Sequence, residues 1–131
     1  MTQPIIYLGI DWGASKIGLA IGDNQTKLAI PYGLVDNWQA VIKIIEREQV
    51  DQLVIGQPQA MSGQSIDYHP GWLELVNLAK NSQWPVHLVD ERLSSAAADR
   101  LINHQKAAAQ QDAVAAMLIL QTFLDNYEAH Q

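Results

Sequence analysis

The chain opens on an alternation of short apolar runs and breakers. Ile5 to Asp11 is apolar and rich in branched residues, Lys16 to Gly22 repeats that character, and Trp12-Gly13-Ala14-Ser15 between them is short enough for a hairpin connection. Lys27 to Val35 predicts a third strand, which Pro31 pushes toward a sheet edge or a bulge. From Asn37 the period changes. Trp38, Val41, Ile42, Ile44, Ile45 and Val50 recur at helical spacing, with Lys43, Glu46, Arg47 and Glu48 filling the other side. Leu53-Val54-Ile55 running into Gly56-Gln57-Pro58 predicts a short buried strand. Leu73, Val76, Leu78 and Ala79 mark a helix that ends before Pro85, and Val86 to Asp90 a further strand. Two helices close the chain, at about 94–104 and 111–127.

The resulting order is βββαβαβαα: three antiparallel strands, then alternating helices and strands, as in a ribonuclease H-like sheet. The expectation is an α/β fold with a mixed five-stranded sheet flanked by helices. Residues 1–131 form one domain in this reading, with no repeat, linker or low-complexity tract. With 48% hydrophobic residues the chain can bury a core unaided.

Composition narrows the chemistry. There is no cysteine, which removes disulfides, thiolate zinc sites and thiol nucleophiles together. The first apolar run lacks a preceding basic stretch and stops at Asp11, too short for a signal-peptide core or a membrane span, so a cytoplasmic protein with no membrane association is expected. A formal net charge of −6 with only eight Lys and Arg argues against a strong grip on a phosphate backbone, although carboxylates gathered around cations would themselves contribute to that count.

Three acids stand at the ends of elements. Asp11 closes the first strand and should lie at the sheet's carboxyl edge rather than in the core; taken alone it reads first as a turn-forming residue bonded to its own backbone. Glu91 repeats the situation after Val86–Asp90, where an acid ahead of a helix N-terminus is the simpler account. Asp112 leads the apolar stripe Ala115, Ala116, Ile119, Leu120, Phe123, Leu124 and Tyr127, as a cap or first-turn acid would. Small Ala115 and Ala116 would let that helix approach the sheet closely. Three acids meeting at one sheet edge would repel one another unless a cation lay between them, and oxygen-only ligands suit Mg²⁺ or Mn²⁺, two of which can act together in phosphodiester cleavage.

Several motifs carry a family resemblance. Gly9-Ile10-Asp11-Trp12-Gly13 with Lys16-Ile17-Gly18-Leu19-Ala20, then Asp90-Glu91-Arg92-Leu93-Ser94-Ser95, then Asp112-Ala113-Val114-Ala115-Ala116 with Ile119-Leu120-Gln121, in that order, resemble the YqgF family. Members are described as Holliday-junction resolvases and pre-16S ribosomal RNA nucleases. Gly56-Gln57-Pro58 and Ser62-Gly63 resemble the family's Gly-x-Pro loop and the turn after it. The resemblance implies a ribonuclease H-like fold, Mg²⁺ or Mn²⁺ dependence, a structured RNA or branched DNA substrate, and Asp11, Glu91 and Asp112 as catalytic acids. One departure is the stretch from His104 to Gln111, shorter and less basic than the family's corresponding segment, with Lys106 as its only cation.

Lys16, Arg92, Arg100 and Lys106 are the candidate phosphate contacts, with a homodimer or a protein partner as the means of completing a sparse basic surface. Trp12 is expected as an exposed strand-end aromatic, the alternative being a stacking platform for an unpaired base. His69, His87, His104 and His130 show no metal-ligand spacing and read as surface or core filler. Two rival readings remain at this point. Asp11-Trp12-Gly13 followed by Gly18 also suits the phosphate loop of an actin-like or sugar-kinase-like ATPase, but that fold needs a second lobe. A non-catalytic adaptor would use Trp12, Tyr32, Tyr68 and Trp72 as an apolar docking surface.

Overall fold

The computed structural model describes residues 3–58, 67–91 and 108–127, the last group with side chains from Ala113 onward. Its strands are β1 (Ile6–Trp12), β2 (Ile17–Asp23), β3 (Ala29–Val35), β4 (Gln52–Gln57) and β5 (Val86–Asp90). Its helices are α1 (Trp38–Glu48), α2 (Pro70–Lys80) and α3 (Ala108–Asp125). The expected helix at 94–104 and the Ser62-Gly63 turn lie outside the described residues.

The five strands form one mixed sheet in the order β3-β2-β1-β4-β5. β1, β2 and β3 are antiparallel neighbours, while β4 lies parallel to both β1 and β5. Pro31 has both expected consequences. β3 is an edge strand, and its register against β2 shifts between Leu19 and Ala20, so that Leu19 faces Gly33 and Ala20 faces Pro31.

Alternation along the strands sorts the apolar side chains into two layers. Leu8, Ile10, Leu19, Leu53 and Ile55 face α1 and α2, meeting Val41, Ile44, Ile45, Trp72, Leu75, Val76 and Ala79. Tyr7, Ala20, Val54 and Val89 face α3, meeting Ala115, Ala116, Ile119, Leu120, Phe123 and Leu124. Of the expected α1 stripe, Val41, Ile44 and Ile45 are buried on the helix, Ile42 is only half-buried and Val50 is buried just past the helix end, and the helix starts at an Asn37 side chain that accepts a hydrogen bond from the Ala40 amide. In α2 the buried stripe is Trp72, Leu75, Val76 and Ala79, whereas Leu73 and Leu78 are exposed. Trp72 takes the core position because its large ring fills the space beside the end of β4.

α3 crosses its layer antiparallel to β1. The Tyr7 ring meets Phe123 at a centroid distance of 5.1 Å, whereas Gly9, two residues on, meets the helix one to two turns earlier. The contact there is backbone to backbone. A Cβ placed on Gly9 would lie 2.7 Å from Leu120 Cβ and 2.9 Å from the Ala116 carbonyl oxygen. Small residues on both sides permit that approach, and burial of Ile119, Leu120, Phe123 and Leu124, at about 1.5–3 kcal/mol for each large side chain, holds the helix there.

Candidate active site

The site grows from this pairing. Asp11 is the sixth residue of β1 and pairs with Gly18 of β2. β1 continues through Trp12, so Asp11 is not a turn residue. At 3% exposure it is the one buried charged side chain among the described residues. It shares its face with Tyr7 and Gly9, the face covered by α3. The expectation of an edge position outside the core is corrected to that extent: Asp11 stands near the carboxyl end of its strand but beneath the α3 layer.

Glycines surround it. Gly9 precedes it on the same face, Gly18 is its partner on β2, and Gly56 of β4 comes directly after Ile55, the partner of Ile10. On the other side of Gly56 comes β5, where Gly56 pairs with Val89 and Gln57 with Asp90. Glu91 follows directly and leans inward, its Cγ 3.2 Å from the point a Gly56 Cβ would occupy, with Ile119 Cδ1 2.5 Å from the same point. A side chain at residue 56 would therefore displace both Glu91 and α3. Two strand spacings of about 4.8 Å separate the backbones that carry Asp11 and Glu91, and only a glycine lies between them.

α3 supplies the third position. Asp112 lies one helical turn before Ala116, whose carbonyl oxygen is over Gly9. Moving from Gly9 to Asp11 advances roughly 6.6 Å along β1, which equals four to five residues of the antiparallel helix at about 1.5 Å each. The backbone of Asp112 is thus carried to the height of Asp11. Its side chain lies outside the described residues, and among the described residues no group of three His, Asp or Glu side chains gathers.

The other candidates separate. The Lys16 ammonium pairs with Asp36 at the turn before α1, on the exposed surface. Arg92, Arg100 and Lys106 lie outside the described residues. Trp12 is not the exposed aromatic expected of a strand end. Its ring is half-buried against His69, with centroids 4.7 Å apart, and is so close to Gly71 that a Cβ there would lie 2.3 Å from Trp12 Cζ2. Trp72, read in the adaptor alternative as a surface aromatic, is buried, and its indole nitrogen donates to the Gly56 carbonyl at 2.9 Å. Tyr32 is also engaged, donating to Glu48 at 2.8 Å and accepting from Arg47 at 2.7 Å. His87 lies against Phe123 with ring centroids 4.8 Å apart and is 2.6 Å from the Gln52 side-chain oxygen, while the His69 ring caps α2 by accepting from the Gly71 amide.

The model of the RuvX family, described as Holliday junction resolvase, matches residues 5–126. The chain belongs to the RuvX family. Among its relatives is a protein of Maridesulfovibrio salexigens named "Putative pre-16S rRNA nuclease", 33% identical over 129 residues that span 89% of this chain and 96% of that one. A protein of Rickettsia rickettsii with the same name is 33% identical over 131 residues, spanning 91% of this chain and 85% of its own. Among solved structures, RuvC of Thermus thermophilus bound to a Holliday junction superposes with a TM-score of 0.62 over 95% of this chain and 96% of that chain, at 15% identity. A second T. thermophilus RuvC structure gives 0.57 at 16% identity, with 95% and 97% covered. At that identity the likeness establishes the fold, which is the ribonuclease H-like sheet anticipated from element order. Among the described residues no helix is long and apolar enough to cross a membrane.

Proposed function

We propose that this RuvX-family chain is a divalent-metal-dependent nuclease that hydrolyses phosphodiester bonds in structured nucleic acid, with Asp11, Glu91 and Asp112 as its metal-holding carboxylates. The observation that carries the reading is Asp11: a buried acid near the carboxyl end of β1, on the same face of the sheet as Glu91 at the end of β5.

The donor set fits a hard cation. Asp11 and Glu91 offer only oxygen, as Mg²⁺ and Mn²⁺ prefer. A pair of such ions, when bound, supplies an activated water and charge stabilisation at the leaving oxygen. The protein's part is positional. Asp11 is fixed by the β1–β2 and β1–β4 ladders, Glu91 by the β4–β5 ladder, and Asp112 by the docking of α3 on Gly9. Burial of Asp11 keeps bulk water from screening its charge, which strengthens its hold on a cation.

The names of the relatives favour either a ribosomal RNA precursor or a four-way DNA junction as substrate. With the Lys16 ammonium paired to Asp36, the basic surface is sparse, and a second subunit or a protein partner completes it in this reading. The test is cleavage of a panel containing a four-way DNA junction, a pre-16S RNA fragment and linear duplex controls, in Mg²⁺ and in Mn²⁺. Metal-dependent cleavage by the wild type, abolished in Asp11→Asn, supports the proposal. Cleavage that persists in Asp11→Asn, or none by the wild type on any substrate, contradicts it.

A further inference from the structure

Resting on that reading, we propose that the first turn of α2, through Gly71 and Trp72, is the positioning element that sets the separation of Asp11 and Glu91 and hence their affinity for a cation. The two acids stand on strands separated by β4, so the gap between them depends on where the end of β4 sits relative to the end of β1. Both ends are held from the opposite face of the sheet by the same few residues. The Gly56 carbonyl accepts from the buried indole nitrogen of Trp72 at 2.9 Å. Tyr68 stacks on Trp72 with centroids 4.7 Å apart, and its hydroxyl accepts from the Gln57 side-chain Nε2 at 3.3 Å. On the β1 side, Trp12 follows Asp11 directly and packs against His69 and Gly71. The His69 ring is in turn fixed by accepting the Gly71 amide at 2.9 Å.

Any buried indole N–H seeks an acceptor, and here the acceptor is the carbonyl of Gly56, on the strand between those that carry the two acids. A helix start needs no glycine, and only the Trp12 ring forbids a Cβ at Gly71. Trp72 and Gly71 are positioning residues. They lie on the α1–α2 side, whereas Asp11 and Glu91 face α3, so their influence passes through the β1 and β4 backbones.

The test is Mn²⁺ binding to the free protein, read by electron paramagnetic resonance of unbound Mn²⁺, with no substrate and no turnover. Trp72→Phe keeps a stacked ring and deletes the donor. It is expected to weaken Mn²⁺ binding about threefold to tenfold, the factor that corresponds to one net hydrogen bond. Gly71→Ala is expected to do the same by displacing Trp12, and the double variant Gly71→Ala with Trp12→Phe, whose smaller ring clears the new methyl, to recover most of the affinity. Leu73→Ala, an exposed position on the same helix, should bind as the wild type does. If the wild type binds Mn²⁺ through Asp11 while Trp72→Phe and Gly71→Ala bind equally well, the positioning role is overturned and the functional reading stands. If the wild type shows no Asp11-dependent Mn²⁺ binding, the functional reading is overturned and this inference with it.

Discussion

Gly9→Ala is the sharpest perturbation of the architecture. The new methyl meets Leu120 Cβ at 2.7 Å and the Ala116 carbonyl oxygen at 2.9 Å. Neither is the end of a flexible side chain, so rotamer changes cannot relieve the overlap and α3 must move off the sheet. Overpacking of this kind costs about 1–3 kcal/mol. For a chain of this size each kcal/mol corresponds to roughly 3–5 °C, so the melting temperature should fall by about 3–15 °C. Leu120→Ala in the same background should not restore it, because the offending Cβ remains. Displacing α3 also carries Asp112 away from Asp11, so Mn²⁺ affinity should fall along with stability. The assay is thermal unfolding with and without millimolar Mn²⁺. A Gly9→Ala protein that melts within 1 °C of the wild type would refute the backbone contact between β1 and α3, and with it the placement of Asp112 at the height of Asp11.

Other outcomes follow from the same contacts. Millimolar Mn²⁺ should raise the melting temperature modestly through linkage, and the triple variant Asp11→Asn, Glu91→Gln, Asp112→Asn should lose that rise. Duplex affinity should fall gently with salt, with a slope of log K against log[salt] of about −2 to −4, and a slope near −8 would show a basic surface not accounted for here. Burial, followed by the hydrogen bond to Tyr127, pushes the Tyr7 hydroxyl well above the ordinary tyrosine range. The raised folded-state value means that this contribution is complete below about pH 10 and declines as pH rises beyond it, so Tyr7→Phe should flatten the alkaline limb of a stability-versus-pH curve.

Much of the fold was legible in one sequence because period and punctuation agreed. The switch from period two to helical spacing at Asn37 marked α1. The strand Val86–Asp90 was read with its observed bounds, and Pro31 foretold both the edge and the bulge. The α2 stripe was harder, because Leu73 and Leu78 are as apolar as their buried neighbours and only the contact of Trp72 with Gly56 decides which face turns inward. Among the candidate acids, Asp11 and Glu91 were visible as residues that close apolar runs and Asp112 as one that leads an apolar stripe. What pattern did not show is Gly56: it is far from Asp11 along the chain, and only the pairing of β4 with β1 and β5 brings it between the strands that lead to Asp11 and Glu91. Trp12 misled for a related reason. A bulky aromatic after a strand looks exposed until Gly71, which leaves it room, is brought beside it by the fold.

The central claim is that carboxylates from β1, the end of β5 and α3 hold one divalent site, and anomalous diffraction from a Mn²⁺-soaked crystal tests it most directly. The account predicts a Mn²⁺ peak beside Asp11 with oxygens of Asp11, Glu91 and Asp112 at about 2.1 Å or bridged to it by a single water. A peak that makes no contact with Asp11, or no peak there at saturating Mn²⁺, would contradict it.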